Sequence, residues 1–176
     1  MPVIIAVIGA ITAVLFCVVR ARNAADAASD LLDMANDVRL AARRFGFKRQ
    51  TNLHPAESIE DPHIAIAGIA SGFLELDDFP SSDQRVALTR VMQDSLSLSA
   101  RDATELSILG RWMAAECGSA DAAISRLTRK LVRMSGQDSL TPLLTMVNNT
   151  LTAGSSGLNT KQKEALDDVK RVYRIT

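Results

Sequence analysis

The sequence has few residues of the kinds that build reactive sites. Its 176 residues include only Cys17 and Cys117, only His54 and His63, and 4% aromatic residues. Two cysteines cannot build a disulfide framework or a zinc site on their own, and they fit a reduced cytoplasmic setting. A Gly-rich loop before a helix, HExxH and GxSxG are also missing. We therefore predict a non-enzymatic protein without a cofactor.

The charges balance overall but are unevenly distributed. Lys and Arg number 20, as do Asp and Glu, so no global charge indicates nucleic-acid binding. Residues 57–83 contain seven acidic side chains and no Lys or Arg. A basic cluster precedes them, formed by Arg39, Arg43, Arg44, Lys48 and Arg49. Such a cluster suits contact with anionic lipid or with a partner, and equally a solvated face.

One long uncharged run stands near the start of the chain. Val3 to Val19 reads VIIAVIGAITAVLFCVV, seventeen residues without a charge. As a helix it would be roughly 26 Å long, at the short end of what crosses a hydrocarbon layer of about 30 Å. A buried core helix is the alternative, but without a polar face it would need a larger domain around it than the remaining chain supplies. We predict a transmembrane anchor over residues 1–19.

The charges beside this run predict its orientation. Arg20 and Arg22 follow it directly, and only the chain amine precedes it. Because positive charge stays on the cytoplasmic side, we predict a single-pass protein of the bacterial inner membrane, with its N-terminus outside and its C-terminal domain in the cytoplasm. A cleaved signal peptide is the alternative, since Ala24, Ala25 and Ala27 resemble a cleavage site. Signal peptides, however, carry their positive charge before the apolar run.

A stripe of small and apolar residues follows the same side of the predicted helix into the cytoplasm. Steps of 3.5 residues keep such a stripe on one partner, and small residues let transmembrane helices approach closely. We predict that it docks on an integral membrane protein complex through Ala6, Gly9, Ala10, Ala13, Cys17, Leu31, Met34, Val38 and Phe45. The alternative is that its cytoplasmic half packs on the domain of its own chain.

The rest of the chain has the pattern of one all-α domain. No Pro or Gly interrupts residues 20–45, which predicts a juxtamembrane helix that Gly46 ends. Residues 46–60 are of mixed polarity and are predicted to be a linker. Beyond them, residues 61–176 show no sustained alternation of apolar and polar residues, and we predict about six short helices with small residues at their crossings. Their start signals are Ser81 with Gln84, Ser99, Ser119, Thr141 before Pro142, and Asn159 or Thr160.

Single residues of note in this domain have structural interpretations. His63 lies beside Glu60 and Asp61, an arrangement that we assign to capping of a helix start. Cys117 has no basic neighbour in sequence that would lower its pKa, so we expect a small buried residue. Trp112 follows Ile108 and Leu109 at helical spacing and is expected in the core.

Two turns in this domain have a similar composition. The first is LELDDFPSSDQRVAL, residues 74–88, and the second is LTAGSSGLNTKQKEAL, residues 151–166. With these turns, residues 61–176 resemble the TerB-like helical domains named for tellurite-resistance proteins. Turn acids bind a divalent cation in some members of that family. The resemblance places Asp77 at the acid of the first turn.

The rest of that cation site is missing from this sequence. Gln84 replaces a later acid of the first turn, and Ser155 and Ser156 stand where the acid of the second turn would be, while Gly157 persists. Too few carboxylates remain for a cation that needs six or more oxygens. Asp77 is left as a weak candidate ligand, and we predict no bound metal.

Two functions follow from these patterns. The first is a non-enzymatic accessory or assembly subunit of an inner-membrane complex, with respiratory complexes as abundant hosts of single-span subunits. The stripe favours this function, in which a cytoplasmic helical interaction domain hangs from the anchor. The alternative, implied by the family resemblance, is a membrane-tethered stress or metal-responsive TerB-type module, which the loss of turn acids weakens.

Overall fold

The computed structural model describes residues 34–77, 80–153 and 158–174. The chain divides into two units, Met1–Asp37 and Val38–Thr176. The predicted anchor and the stripe residues before Met34, namely Ala6, Gly9, Ala10, Ala13, Cys17 and Leu31, lie outside the described residues. In the part of the chain that is described, no helix has both the length and the apolar character that crossing a membrane requires.

Within the described residues the structure consists of helices and contains no strand. Helix α1 covers residues 34–44 and is followed by a short 3-10 turn, Pro55–Ser58. The helices of the second unit are α2 (Pro62–Glu75), α3 (Ser82–Ser95), α4 (Ala100–Glu116), α5 (Ala120–Ser135), α6 (Leu140–Ala153) and α7 (Thr160–Val172), with a 3-10 turn at Gly136–Ser139 before α6. The prediction of an all-α domain of about six helices is confirmed.

Local capping explains where most of these helices begin. The Ser81 hydroxyl accepts from the Gln84 N–H at 3.2 Å, and the Gln84 amide oxygen accepts from the Ser81 N–H at 2.6 Å, which forms the predicted capping box. Ser99, Ser119 and Asn159 cap α4, α5 and α7 as predicted.

The end of α5 and the start of α6 depend on Gly136. Gly136 ends α5 with a φ of 57°, a conformation that favours glycine. Helix α6 begins at Leu140, slightly before the start that Thr141 and Pro142 predicted, because the preceding 3-10 turn leads directly into it. Pro142 remains in the first helical turn, where a backbone N–H has no acceptor within the helix.

Helix α2 is the centre of the domain. Every residue from Ile64 to Leu74 is buried, because Ile, Ala and Gly on all sides of this helix leave it no polar face. It packs against α3, α4, α5 and α6. A Cβ atom added to Gly110 of α4 would lie 2.8 Å from the carbonyl carbon of Ala67, and one added to Gly68 would lie 2.6 Å from Cδ1 of Leu127. The predicted small-residue crossings therefore exist, and they bring backbones into contact.

Within the predicted linker, residues 46–60, Phe47 and residues 55–59 pack on the helices, whereas residues 48–53 are exposed. Phe47, Ala56 and Ile59 are buried. The Phe47 ring meets Trp112 of α4 edge to face, with the ring centroids 5.8 Å apart, and Trp112 is half-buried rather than fully in the core. These apolar residues are spaced too irregularly to mark a helix or strand, so their burial follows from the surfaces of α4 and α5 that they meet.

Candidate interaction surface

Helix α5 separates apolar and basic residues onto different sides. Ile124, Leu127 and Leu131 are buried against the domain. Its basic residues, Arg126, Arg129, Lys130 and Arg133, are half-buried or exposed. With 3.6 residues per turn, positions 126, 129 and 133 lie on the same side of the helix, about 10 Å from first to last. The helix thus presents a row of arginines on its outer side.

This row lines a groove of about 510 Å³. Arg126, Arg129 and Arg133 contribute its basic lining, and the half-buried Val132 and Val172 contribute apolar surface. Glu57, from the 3-10 turn Pro55–Ser58, is also part of the lining. We call this feature the α5 groove. It brings together three segments of the chain that are distant in sequence.

Glu57 fixes the 3-10 turn to α5. Lys130 Nζ donates to the Glu57 carbonyl oxygen at 2.7 Å, and the Arg133 guanidinium donates to the Glu57 carboxylate at 2.7 Å. Arg129 donates to the carbonyl and the hydroxyl of Ser125, at 3.2 and 3.0 Å, which orients its guanidinium along the helix. Among the described residues, Arg126 has no acidic partner within ion-pair distance.

Cys117 lies beside this surface, at the end of α4. Burial raises the pKa of its thiol, with the nearby charge of Arg126 opposing the shift. The thiol is therefore protonated at neutral pH, and a protonated thiol is a poor nucleophile. Sequence reasoning missed the basic neighbour of Cys117 because Arg126 approaches it only through the tertiary structure.

The basic cluster lies in the second half of α1 and just after it and is exposed, but two of its members bind the protein itself. Arg44 forms ion pairs with Asp102 and Glu105 of α4, and Arg49 approaches Glu116 at 3.5 Å. The hydrogen bond from Ser99, together with the charge of Arg44, lowers the pKa of Asp102. Arg39, Arg43 and Lys48 are exposed, and none of them has an acidic partner among the described residues.

The described part of the predicted stripe lies mainly against its own chain. Val38 and Phe45 pack against the core of the second unit, and Ala41, on the same side of α1, is fully buried. Met34 is 52% exposed. From Val38 onward the stripe therefore follows the alternative stated above, in which it packs on its own domain.

Asp77 lies in the turn after α2. Its carboxylate accepts a hydrogen bond from the Gln84 side-chain amide at 3.1 Å. Gln84 thus supplies a hydrogen-bond donor to Asp77, where the predicted TerB-like pattern would have an acid. In the described ranges, no group of three or more His, Cys, Asp or Glu side chains has an arrangement that could hold a metal ion. Ser155, Ser156 and Gly157 fall outside those ranges.

The start of α7 contacts the end of α2, next to the first turn. The Asn159 side chain donates to the Leu76 carbonyl at 3.1 Å, and the buried Gln162 side chain donates to the Phe73 carbonyl at 3.2 Å. Carbonyls at the end of a helix lack partners within the helix. The two side chains of the α7 capping box therefore also supply hydrogen-bond donors to carbonyl groups at the end of α2. Local sequence patterns do not reveal this role.

Two further polar groups, Asp61 and Ser71, lie at the start of α2 and within it. Asp61 caps α2 by accepting from the His63 N–H at 2.9 Å, which confirms the predicted capping role.

The buried Ser71 hydroxyl lines a cavity of about 40 Å³ with Glu75, Arg85 and Arg111. Burial raises the pKa of Glu75, and the two arginines oppose the shift. A cavity of this size holds about one water molecule.

Comparison with known proteins finds no matching family model, no matching curated protein and no matching solved structure. The resemblance of residues 61–176 to TerB-like domains therefore depends on the two turn motifs alone. That resemblance stays a prediction, and the evidence for a function comes from the α5 groove and the exposed basic residues.

Proposed function

We propose that this chain is a non-enzymatic accessory or assembly subunit of an inner-membrane protein complex. Val3 to Val19 anchors it, and Ala6, Ala10 and Ala13 dock on a transmembrane helix of that complex. The helical domain stands on the cytoplasmic side and binds a partner there. The single observation that carries the proposal is the α5 groove, with three arginines and two valines along one open surface.

The composition of the groove supports an interface. Arginine is enriched in protein interfaces and in their energetic hot spots, because its planar guanidinium makes several hydrogen bonds and also contacts apolar groups. Val132 and Val172 add apolar surface that a partner would remove from water. Lys130 and Arg133 also bond to Glu57 and so hold the Pro55–Ser58 turn on α5, beside the groove.

The exposed part of the basic cluster supports contact with the membrane. Arg39, Arg43 and Lys48 follow the proposed anchor in sequence. Basic residues are attracted to anionic lipid by about 1 kcal/mol each when they lie within a Debye length of the cytoplasmic leaflet. Because Arg39 would be about 30 Å from the end of the proposed anchor along a continuous helix, this contact requires the domain to rest against the membrane. Within this proposal Arg44 and Arg49 contribute less, because their charges already have acidic partners on α4.

The alternative of a metal-responsive TerB-type module is less well supported. Its one candidate ligand, Asp77, already accepts a hydrogen bond from the neutral Gln84 amide. A hard divalent cation needs several carboxylate or carbonyl oxygens around it, and the first turn offers an amide donor in place of a second acid.

Widening the small residues of the anchor tests the proposal. Ala10→Leu with Ala13→Leu keeps membrane insertion, because leucine is more hydrophobic than alanine, but it blocks the close helix contact on which packing in lipid depends. The control is Ile8→Leu with Ile11→Leu, which conserves side-chain volume. We expect membrane proteins that co-purify with the wild type in mild detergent to be lost only from the alanine double variant.

Equal retention of those membrane proteins by both double variants would contradict docking through the anchor. A reporter protein fused after Thr176 tests the predicted membrane topology. It should be active if it works only in the cytoplasm, and activity of a reporter specific for the periplasm would contradict the proposed orientation.

A further inference from the structure

We infer that the α5 groove binds an acidic helical segment of a partner protein, through carboxylates that face Arg126, Arg129 and Arg133. The inference rests on the proposed function, because it specifies the partner chemistry of an interaction subunit. It follows from the charge, the spacing and the lining of the groove.

The groove already holds one carboxylate. The Glu57 carboxylate forms an ion pair with Arg133, and its Oε2 atom lies 2.7 Å from the Nη2 atom of the guanidinium. Arg126 and Arg129 line the same groove, and neither has a carboxylate partner among the described residues. Arginine binds carboxylates through paired, charge-assisted hydrogen bonds. The ion pair with Glu57 is thus an internal example of the recognition that a partner's carboxylates would repeat at Arg126 and Arg129. A third carboxylate would share Arg133 with Glu57, which bonds to only one nitrogen of that guanidinium.

The spacing of the arginines matches a helix. Positions 126, 129 and 133 are separated by about 4.5 and 6 Å along the α5 axis. Acidic residues at i, i+3 and i+7 of a helix aligned with α5 have the same spacing and lie on one side of that helix. In an extended segment, residues that point the same way are about 6.6 Å apart, which does not fit the shorter of the two steps.

The lining favours a protein segment over a lipid surface. Val132 and Val172 lie among the arginines, and apolar residues beside the acids of an amphipathic helix would cover them. A layer of lipid headgroups is polar and broadly flat, so it has no counterpart for apolar side chains within a groove. The groove and the exposed cluster of Arg39, Arg43 and Lys48 therefore serve different ligands.

Peptide binding to the full-length protein in mild detergent tests this inference. The probe is a fluorescent Ala-rich helical peptide with Glu at i, i+3 and i+7 and Leu beside them, and the control peptide carries Gln at the same positions. Fluorescence anisotropy at low salt reports affinity, because screening weakens exposed charge pairs. Circular dichroism of each protein variant checks that the helices are retained.

The protein variants test whether peptide binding depends on the groove arginines or only on the total positive charge of the protein. Arg126→Gln with Arg129→Gln should weaken binding of the Glu peptide roughly tenfold, as expected for two exposed ion pairs. Arg90→Gln with Arg101→Gln removes the same charge from exposed positions on α3 and α4 and should leave affinity unchanged. Glu57→Gln should tighten binding several-fold, because it frees Arg133 and removes a like charge, while Lys130 keeps its bond to the residue 57 carbonyl.

Several results would overturn the inference. They are equal binding of the Gln peptide, equal weakening by the Arg90 and Arg101 control, and unchanged or weaker binding after Glu57→Gln. Phosphatidylglycerol vesicles that bind through Arg126 and Arg129 while the peptide does not would assign the groove to lipid. Self-association in sedimentation experiments that depends on the same arginines would assign it to a second copy of the chain.

Failure of this inference can be told apart from failure of the proposed function. If the peptide does not bind but Ala10→Leu with Ala13→Leu still releases membrane partners, the accessory function stands and the groove assignment falls. If the peptide binds through the arginines while the anchor variants retain every partner, the groove assignment stands and docking through the anchor falls.

Discussion

Replacing Gln162 by glutamate should destabilise the domain at neutral pH. Gln162 is 5% exposed. Its amide oxygen accepts from the Asn159 N–H at 3.0 Å, and its amide nitrogen donates to the Phe73 carbonyl at 3.2 Å. Glutamate has nearly the same shape and can still accept from Asn159. Once ionised, however, it cannot donate to Phe73.

The size of the effect follows from that buried contact. A buried polar group that loses its partner costs about 1–3 kcal/mol. The new negative charge faces the C-terminal end of α2, which disfavours it, but it also lies in the first turn of α7, which favours it. These two helix-end effects, about 0.3–1 kcal/mol each, oppose one another. We expect Gln162→Glu to lower the free energy of unfolding by about 1–3 kcal/mol at pH 7, out of the roughly 5–15 kcal/mol typical of a domain.

The loss should shrink in acid. In its neutral form the introduced carboxyl can donate its O–H to the Phe73 carbonyl, and burial also favours the neutral form. The folded state should therefore raise the pKa of this carboxyl above its unfolded value of about 4.3. Raising the pKa of an acid in the folded state means that ionisation destabilises the fold. The deficit is therefore complete above the folded pKa and narrows as pH falls from there toward about 4.3.

Urea titration of the full chain, followed by the fluorescence of the single tryptophan, measures this. Trp112 packs on Phe47 and reports the unfolding of the domain. The control is Gln137→Glu, which loses a similar bond to the Tyr173 carbonyl, 2.9 Å long, at an exposed position where water can replace the donor. Equal losses in both variants, or a deficit at residue 162 that does not change between pH 7 and about pH 4.5, would refute the reasoning.

Three further predictions concern the helix crossing, the first turn and the thiol. Gly110→Ala should cost about 1–3 kcal/mol or more in the same titration, because its Cβ would lie 2.8 Å from the Ala67 carbonyl carbon, and an unchanged midpoint would contradict the close crossing. Millimolar Ca²⁺ or Mg²⁺ should leave the unfolding midpoint in place, whereas binding at about 100 times Kd at Asp77 would add about 2.7 kcal/mol. Cys117 should react slowly with iodoacetamide at pH 7 and faster as pH rises, since burial raises the pKa of its thiol; a fast, pH-independent reaction would show a thiolate. Arg126→Gln removes the charge that opposes this shift, so it should slow the reaction further.

The sequence by itself determined the helical class and the starts of most helices, while the start of α6 differed because a 3-10 turn leads into it. Ser81, Ser99, Ser119 and Asn159 each bond to a backbone N–H only three residues away. Such bonds depend on local chain geometry, so a short stretch of sequence is sufficient to predict them. The apolar residues of α2 are likewise spaced as in a helix with a wide buried face, and the small residues between them permit close crossings.

Only the tertiary structure decided which surfaces these helices form together. Arg133 and Glu57 are 76 residues apart, and Gln162 and Phe73 are 89 apart. The row of basic residues on α5 was visible in the sequence, but a solvated face and a groove have the same helical spacing. The difference arises because Glu57 and Val172 meet that row, and their positions depend on how the Pro55–Ser58 turn and α7 pack on α5. Packing of distant segments is set by the sum of many contacts, which no local pattern encodes.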